Sequence, residues 1–307
     1  MNDTSVPSRV DGENVGSADV LTIIADQLAE MTPEIRKAAT YVIENPRDVG
    51  VSSIREIASA ANVKPNTFVR MARQVGFAGY DDFREPFREE IRQGRASFPD
   101  RARWLQSLRD GGKLDDLYAD MVQSALSNIE ATFASVDAVQ MQAAAAAIWK
   151  SRRTFTLGVG VNHSIAQNFT YVASTGMVEF IAIPRPGSTA SDDLAWVDER
   201  DVVIAITCKP FRTEVVEAAH IAKEQGATLI AISDSPASPI ILAADYGFIV
   251  SIDTPQFFPS SIATIGLLET LLSFVVATSS SKVVKRVERF HARRHELGLY
   301  LQNGEDE

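Results

Sequence analysis

Cysteine is almost absent from this chain. The single thiol, Cys208, excludes an internal disulfide and a Cys-rich zinc site, and it suits a reducing compartment. Histidine is scarce as well: His163, His220, His291 and His295. His291 and His295 stand four apart among arginines with no third ligand beside them. That pattern reads as a solvated face, so neither a metal nor a cofactor is expected. No Ser-His-Asp order, paired catalytic carboxylates or phosphate-binding P-loop occurs, and an enzyme is not expected. The most apolar segment, Ile262 to Ala277, is shorter than a membrane span and carries Glu269, so it reads as a buried helix. Residues 1–18 are polar, lack the apolar run of a signal peptide, and are expected to be disordered. The expectation is a cytoplasmic protein without membrane contact.

Positive charge is also short, with 30 Lys and Arg against 40 Asp and Glu for a net charge of −10. This argues against general affinity for nucleic acid. One stretch breaks the balance. From Ile57 through Tyr80 there is no Asp or Glu, yet Lys64, Arg70 and Arg73 lie within it. The surrounding sequence, SIREIASAANVKPNTFVRMARQVGFAGY, reads as helix, tight turn, helix. Ile54, Ile57 and Ala58 give the first helix one apolar face. Asn62 falls where the turn needs the left-handed region, and Pro65 suits the first position of the second helix. Phe68, Val69 and Ala72 are expected inside that helix, with Asn66, Thr67, Arg70 and Arg73 on its other side. An acid-free helix carrying residues that read base edges or hold phosphates points to double-stranded DNA. A helical pair with merely solvated cations is the alternative.

Further helices are expected from about Asp19, over PEIRKAATYVIEN, which Asn45-Pro46 stops, and over DDFREPFREEI. Together they make an all-α domain, residues 19–93, after the tail of residues 1–18. Residues 94–113 look like a linker, although Arg101 to Leu108 could form a short helix. Lead-in helices follow over 114–150, the first with Leu117, Met121, Leu126 and Ile129 inside.

From Arg153 the texture changes. TFTLGVG, VEFIAI, DVVIAIT, ATLIAIS and YGFIVSI are continuous apolar runs of strand length separated by helical patterns. Such strands are buried on both faces, which means a doubly wound parallel α/β domain of about five strands, over residues 114–281. A charged helix and tail, 282–307, close the chain.

Ligands of such sheets bind beyond the carboxyl ends of the strands, and three loops qualify. Gly158 to Ser164, with Gly160, Asn162 and His163, lets backbone approach a ligand at a helix start. Thr207 to Glu214 puts Lys209 and Arg212 at a helix start, where cations oppose the dipole. Either both face an anionic ligand, or they point to solvent or pair with Glu214 or Glu217. Ser260 and Ser261 precede the last long helix; capping explains one of them, and a hydroxyl offered to a ligand would explain the pair.

The pattern SIREIASAANVKPNTFVRMARQVGFAGYDDFR resembles the N-terminal domain of RpiR/MurR-type transcriptional regulators. GVGVNHSIAQNF, DVVIAIT, TEVVEAAHIAKEQGATLIAISDS, SPIILAAD and SSIATIGLLETLL resemble their sugar-isomerase (SIS) domain. The resemblance implies a homodimeric or homotetrameric regulator whose SIS domain senses a phosphosugar. Lys64, Asn66, Thr67 and Arg70 would then serve the recognition helix. Gly158, Gly160, Asn162, Thr207 to Arg212, and Ser260 with Ser261 would build the effector site. The family's Ser-x-Ser-Gly-x-Thr phosphate loop is replaced by Thr207-Cys208-Lys209-Pro210-Phe211-Arg212, and Asn162 stands where a serine is expected. A carboxylated metabolite therefore competes with a phosphosugar as effector, and a degenerate site serving only dimerisation is a further alternative. The alternative function is a SIS-type isomerase or lyase, with His163 or Glu179 as its acid or base.

Overall fold

The computed structural model describes residues 16–92, 97–110, 114–177 and 179–300. The expected tail lies outside them as far as residue 15, as do residues 301–307. The chain forms two compact units, Met1–Leu126 with Asp253–Ser260, and Ser127–Ile252 with Ser261–Glu307.

The first unit is helical: α1 (Ser17–Gln27), α2 (Pro33–Glu44), α3 (Pro46–Val51), α4 (Ile54–Ala60), α5 (Pro65–Gln74), α6 (Tyr80–Arg92) and α7 (Phe98–Asp110). Asn45-Pro46 ends α2 as expected, but Pro46 also opens α3, a short helix with no counterpart among the sequence expectations. Proline fits a first helical turn because its missing N–H would have no partner there. Phe68 is fully buried at the centre of the core, with Tyr41 and Tyr80 edge-on to its ring at centroid distances of 6.4 and 6.1 Å. Burying such a ring contributes about 2–3 kcal/mol. Arg84 of α6 is buried. It donates from Nε to the Val49 carbonyl at 2.7 Å and from Nη2 to those of Gly50 and Ser52 at 3.0 and 2.7 Å. It thus satisfies the open carbonyls at the end of α3. Burial holds its pKa down at about 10. Within the stretch read as a linker, α7 is fully formed; Trp104 and Leu108 pack with Val51, and Phe98 stacks on Phe258 at 4.6 Å.

Helix α8 (Leu114–Ser135) passes from one unit into the other. The expectation that Met121, Leu126 and Ile129 point inward is overturned, since all three are exposed. The buried side chains of α8 are polar. Thr132 Oγ1 accepts from the Ser251 amide at 2.9 Å, and Asn128 Oδ1 accepts from the Ser251 hydroxyl at 2.7 Å.

In the second unit, α9 (Ala138–Lys150) leads into β1 (Thr154–Leu157), α10 (Val161–Ser174), β2 (Phe180–Ile183), α11 (Ala190–Asp193) and β3 (Val202–Ile206). Then follow α12 (Thr213–Glu224), β4 (Thr228–Ser233), α13 (Pro239–Ala243), β5 (Tyr246–Ile249), α14 (Ile262–Thr278) and α15 (Ser281–Glu296). All five strands pair in parallel, in the order β2-β1-β3-β4-β5. One apolar layer packs α9, α10 and α14 on one face; the other packs α11, α12 and α13 on the opposite face. Arg152 and Arg153 both chelate Asp201 at the amino ends of β1 and β3, with shortest distances of 2.6 and 2.8 Å. Among the described residues no single helix is long and apolar enough to cross a membrane.

Candidate nucleic-acid interface and effector site

Helices α4 and α5 form the helix-turn-helix pair expected from the sequence. Ser53 caps α4 in a reciprocal capping box: its hydroxyl accepts from the Glu56 amide at 3.3 Å, and its own amide donates to Glu56 Oε2 at 2.6 Å. Asn62 takes φ 53°, the left-handed turn its position demanded, and Pro65 opens α5. The inner face of α5 is Thr67, Phe68, Met71 and Ala72. Thr67 is thus turned inward and only 8% exposed, while Val69 is half-buried. Met71, one turn beyond Thr67, is the anchor that shifts the helix by one position relative to the expectation. Lys64, Asn66, Arg70 and Arg73 are exposed. Arg73 Nε donates to the Ala78 carbonyl at 3.4 Å, across the turn after α5, which leaves Arg70 as the outward cation at mid-helix.

The strand order turns back between β1 and β3. A crevice at the carboxyl ends of a doubly wound sheet opens at that switch. Both bracketing loops are among the three expected from sequence. Gly158 ends β1 so close to α10 that a Cβ there would lie 2.5 Å from the Asn162 carbonyl oxygen. Gly160 caps α10 at φ 61° and ψ −130°, a conformation reserved for glycine. From α10, Asn162 Nδ2 donates to the Ile206 carbonyl at 3.4 Å, tying the first loop to the end of β3. His163 is engaged at both nitrogens, with the Gly158 carbonyl 3.1 Å from Nδ1 and Gln167 Nε2 2.9 Å from Nε2. Ser164 is exposed on the first turn.

On the β3 side, buried Thr207 accepts the Arg212 amide at 3.1 Å, while Ser233 donates to the Thr207 carbonyl at 2.7 Å. Asp234 accepts the Lys209 amide at 3.0 Å, and the Lys209-Pro210 peptide is cis. Burial pushes the Cys208 thiol up to about 12, with the Asp234 charge adding to the rise. Arg212 Nη1 lies 3.9 Å from where a Cβ on Gly160 would stand. Its Nη2 holds Glu214 Oε2 at 2.8 Å, both groups being exposed. The pairing with Glu214 left open by the sequence is therefore made, and the same guanidinium lies over the glycine loop.

Ser261 occupies the N-cap position of α14 without a side-chain cap bond; Ser260 belongs to the first unit. Glu179 lies at φ 65° just before β2, and its carbonyl accepts the Thr154 amide at 2.9 Å. It sits at the amino ends of the strands, away from the crevice. A loop missed from sequence follows β2. There Asp193 accepts from the Arg185 amide at 2.7 Å, from Arg185 Nε at 2.8 Å and from Ser188 Oγ at 2.7 Å. Burial pushes its pKa up, but these donors outweigh burial and hold it below the usual range. The T-x-x-D capping box of Thr189 and Asp192 was the available signal.

A helix-turn-helix unit joined to a doubly wound α/β unit, with glycine and cation loops at its switch point, is the architecture of an effector-responsive regulator. The family model for the rpiR-family helix-turn-helix domain matches residues 18–94, and that for the SIS domain matches residues 147–278. The chain belongs to the RpiR-type transcriptional regulators. An uncharacterized HTH-type transcriptional regulator from Caldanaerobacter subterraneus is 27% identical over 285 residues, 88% of this chain and 95% of that protein. HexR, an HTH-type transcriptional regulator of Pseudomonas aeruginosa, is 21% identical over 267 residues, 84% of this chain and 89% of that one. The fold is similar to the Vibrio vulnificus NanR protein complexed with ManNAc-6P, with a TM-score of 0.54 and 17% identity over 92% of this chain and 100% of that chain. It is also similar to the sugar isomerase domain of an RpiR transcription factor from Sphaerobacter thermophilus, with a TM-score of 0.54 and 19% identity over 57% of this chain and 98% of that one.

Proposed function

We propose that α5 enters the major groove of an operator, with Lys64, Asn66 and Arg70 as its contacts, and that the crevice between β1 and β3 holds a small anionic metabolite. One observation carries the effector reading: the Arg212 guanidinium is stationed over Gly160 at the free N–H end of α10. Helix start and cation act together on a phosphate or a carboxylate. The ManNAc-6P of the NanR complex makes a sugar phosphate the first candidate. The loss of the hydroxyl-rich loop keeps a carboxylated metabolite as its competitor.

The protein acts as a cytoplasmic homo-oligomer, and the exposed apolar stripe of α8 supports the assembly. Tyr118, Met121, Val122, Leu126 and Ile129 lie along one side of that helix. A soluble helix keeps such a stripe when a second copy covers it. Ligand binding shifts the equilibrium between assemblies that do and do not match the half-site spacing. A non-enzymatic role fits a crevice in which His163 has both nitrogens engaged and Glu179 lies at the wrong end of the sheet. Calorimetric titration of the full chain with ManNAc-6P and with carboxylated sugars tests the effector reading. Saturable binding lost in the Lys209→Ala/Arg212→Ala variant supports it, and binding unaffected by that variant moves the ligand elsewhere.

A further inference from the structure

Helix α15 is unlike the rest of this acidic chain. It carries Lys282, Lys285, Arg286, Arg289, Arg293 and Arg294 against only Glu288 and Glu296. At about 100° per residue, Lys282, Lys285, Arg286, Arg289 and Arg293 fall within an arc of roughly 100°. A different side holds the helix down. Val283 is buried, and a Cβ on Gly176 would meet both Val283 and Val287 at 2.9 Å, so that glycine lets the two valines sit directly on backbone. Arg294 belongs to this anchoring side: its Nη1 donates to Tyr171 Oη at 2.8 Å, and its guanidinium covers Phe290 at 5.2 Å. The centre of the basic stripe stands more than a quarter-turn from these anchors, and its five cations are exposed. Arg293 pairs with Glu296 at 2.9 Å, while Glu288 falls outside the arc of the stripe.

We propose that this stripe is a second contact surface for double-stranded DNA, touching the phosphate backbone without reading sequence. Lys282, Lys285, Arg286 and Arg289, spread along about two turns of a rigid helix, match a row of phosphates. A chain of net charge −10 has no need of such a concentration of cations for solubility. A single row of cations along one helix meets the phosphates, whose contacts carry affinity and position rather than sequence. The proposal rests on the DNA-binding reading of α4 and α5 and adds a surface outside them.

The test is anisotropy binding of the full chain to a duplex of random sequence about three helical turns long, from about 50 to 200 mM salt. Lys285→Gln/Arg286→Gln/Arg289→Gln should bind more weakly. Its log–log salt slope should be shallower by about 3, since each phosphate no longer neutralised removes roughly 0.9. Arg286→Lys/Arg289→Lys keeps the charge and should keep the slope, which separates removal of charge from damage to the fold. An unchanged slope in the triple variant overturns the proposal. So does a triple variant that alters subunit assembly while DNA binding stays intact, which would assign the stripe to an acidic protein surface. The Arg70→Ala variant distinguishes the two readings. If Arg70→Ala weakens binding but the triple variant matches the parent, the α15 surface alone fails. If the parent binds no random duplex even at about 50 mM salt, the α15 proposal fails, while the α4–α5 reading is decided by site selection.

Discussion

Arg212 and Gly160 face each other across the two loops that bracket the switch between β1 and β3, with Nη1 lying 3.9 Å from the position a Cβ on the glycine would take. The glycine is needed for its backbone: φ 61° with ψ −130° is strained for any residue with a side chain. The arginine is restrained by Glu214 at 2.8 Å, an exposed pair worth little on its own and easily exchanged for a ligand anion. The double variant Lys209→Ala/Arg212→Ala should therefore lose the effector response while keeping operator affinity. Gel-shift titrations with and without the metabolite measure both.

Gly158→Ala tests the tightness of the same loop. The added methyl would stand 2.5 Å from the Asn162 carbonyl, backbone that can move only by shifting the start of α10. A loss of about 1–3 kcal/mol in stability, read by denaturant unfolding, is expected.

Arg84→Met should cost about 3 kcal/mol, because the carbonyls of Val49, Gly50 and Ser52 lose their charged donor. The loss falls on the helical unit. Limited proteolysis should show that unit opening first, with the sheet unit intact.

Much of the fold was legible. TFTLGVG, VEFIAI, DVVIAIT, ATLIAIS and YGFIVSI each contain one of the five strands. The inner strands β1, β3 and β4 are buried on both faces as expected, whereas the edge strands β2 and β5 are only half-buried, which corrects that expectation for them. The strand order was not legible, because such runs record burial and not neighbours. Asn62 and Pro65 announced the turn between α4 and α5 by backbone chemistry. Thr67 deceived: a threonine at the edge of an amphipathic face looks outward until Met71 is known to be an anchor. Arg84 gave no signal in the sequence, where nothing in DDFREPFREEI sets apart a guanidinium that binds backbone carbonyls. On α8 the polar Asn128 and Thr132 took the buried side through hydrogen bonds to Ser251, which reversed the apolar expectation.

Acid should loosen the sheet unit through Asp201. Burial raises the pKa of that carboxyl, but donation from Arg152, Arg153 and the Asp198 amide prevails and holds it below the usual carboxylate value. The folded state therefore binds the proton less readily than the unfolded chain. The stabilisation is complete above the unfolded carboxylate pKa near 4 and is lost as pH falls through the lower folded value. Asp201→Asn should flatten this acid limb and lower stability at neutral pH, where Arg152 keeps only Asp198 and Arg153 keeps only the Trp196 carbonyl. Thermal melts across pH measure both.

Within α5, Arg70→Ala should weaken operator binding at least tenfold with the fold intact. Arg73→Ala should weaken it less, because Arg73 is drawn toward the Ala78 carbonyl. Equal losses in the two variants would show that the turn after α5 also touches DNA.

The most direct test of the account is selection of binding sites for the full chain from random duplex DNA, followed by a salt titration of the enriched site. Enrichment of a palindromic or repeated motif, with affinity falling steeply as salt rises and lost on Arg70→Ala, is the predicted result. No enrichment at low salt, with or without ManNAc-6P and carboxylated sugars present, would contradict it.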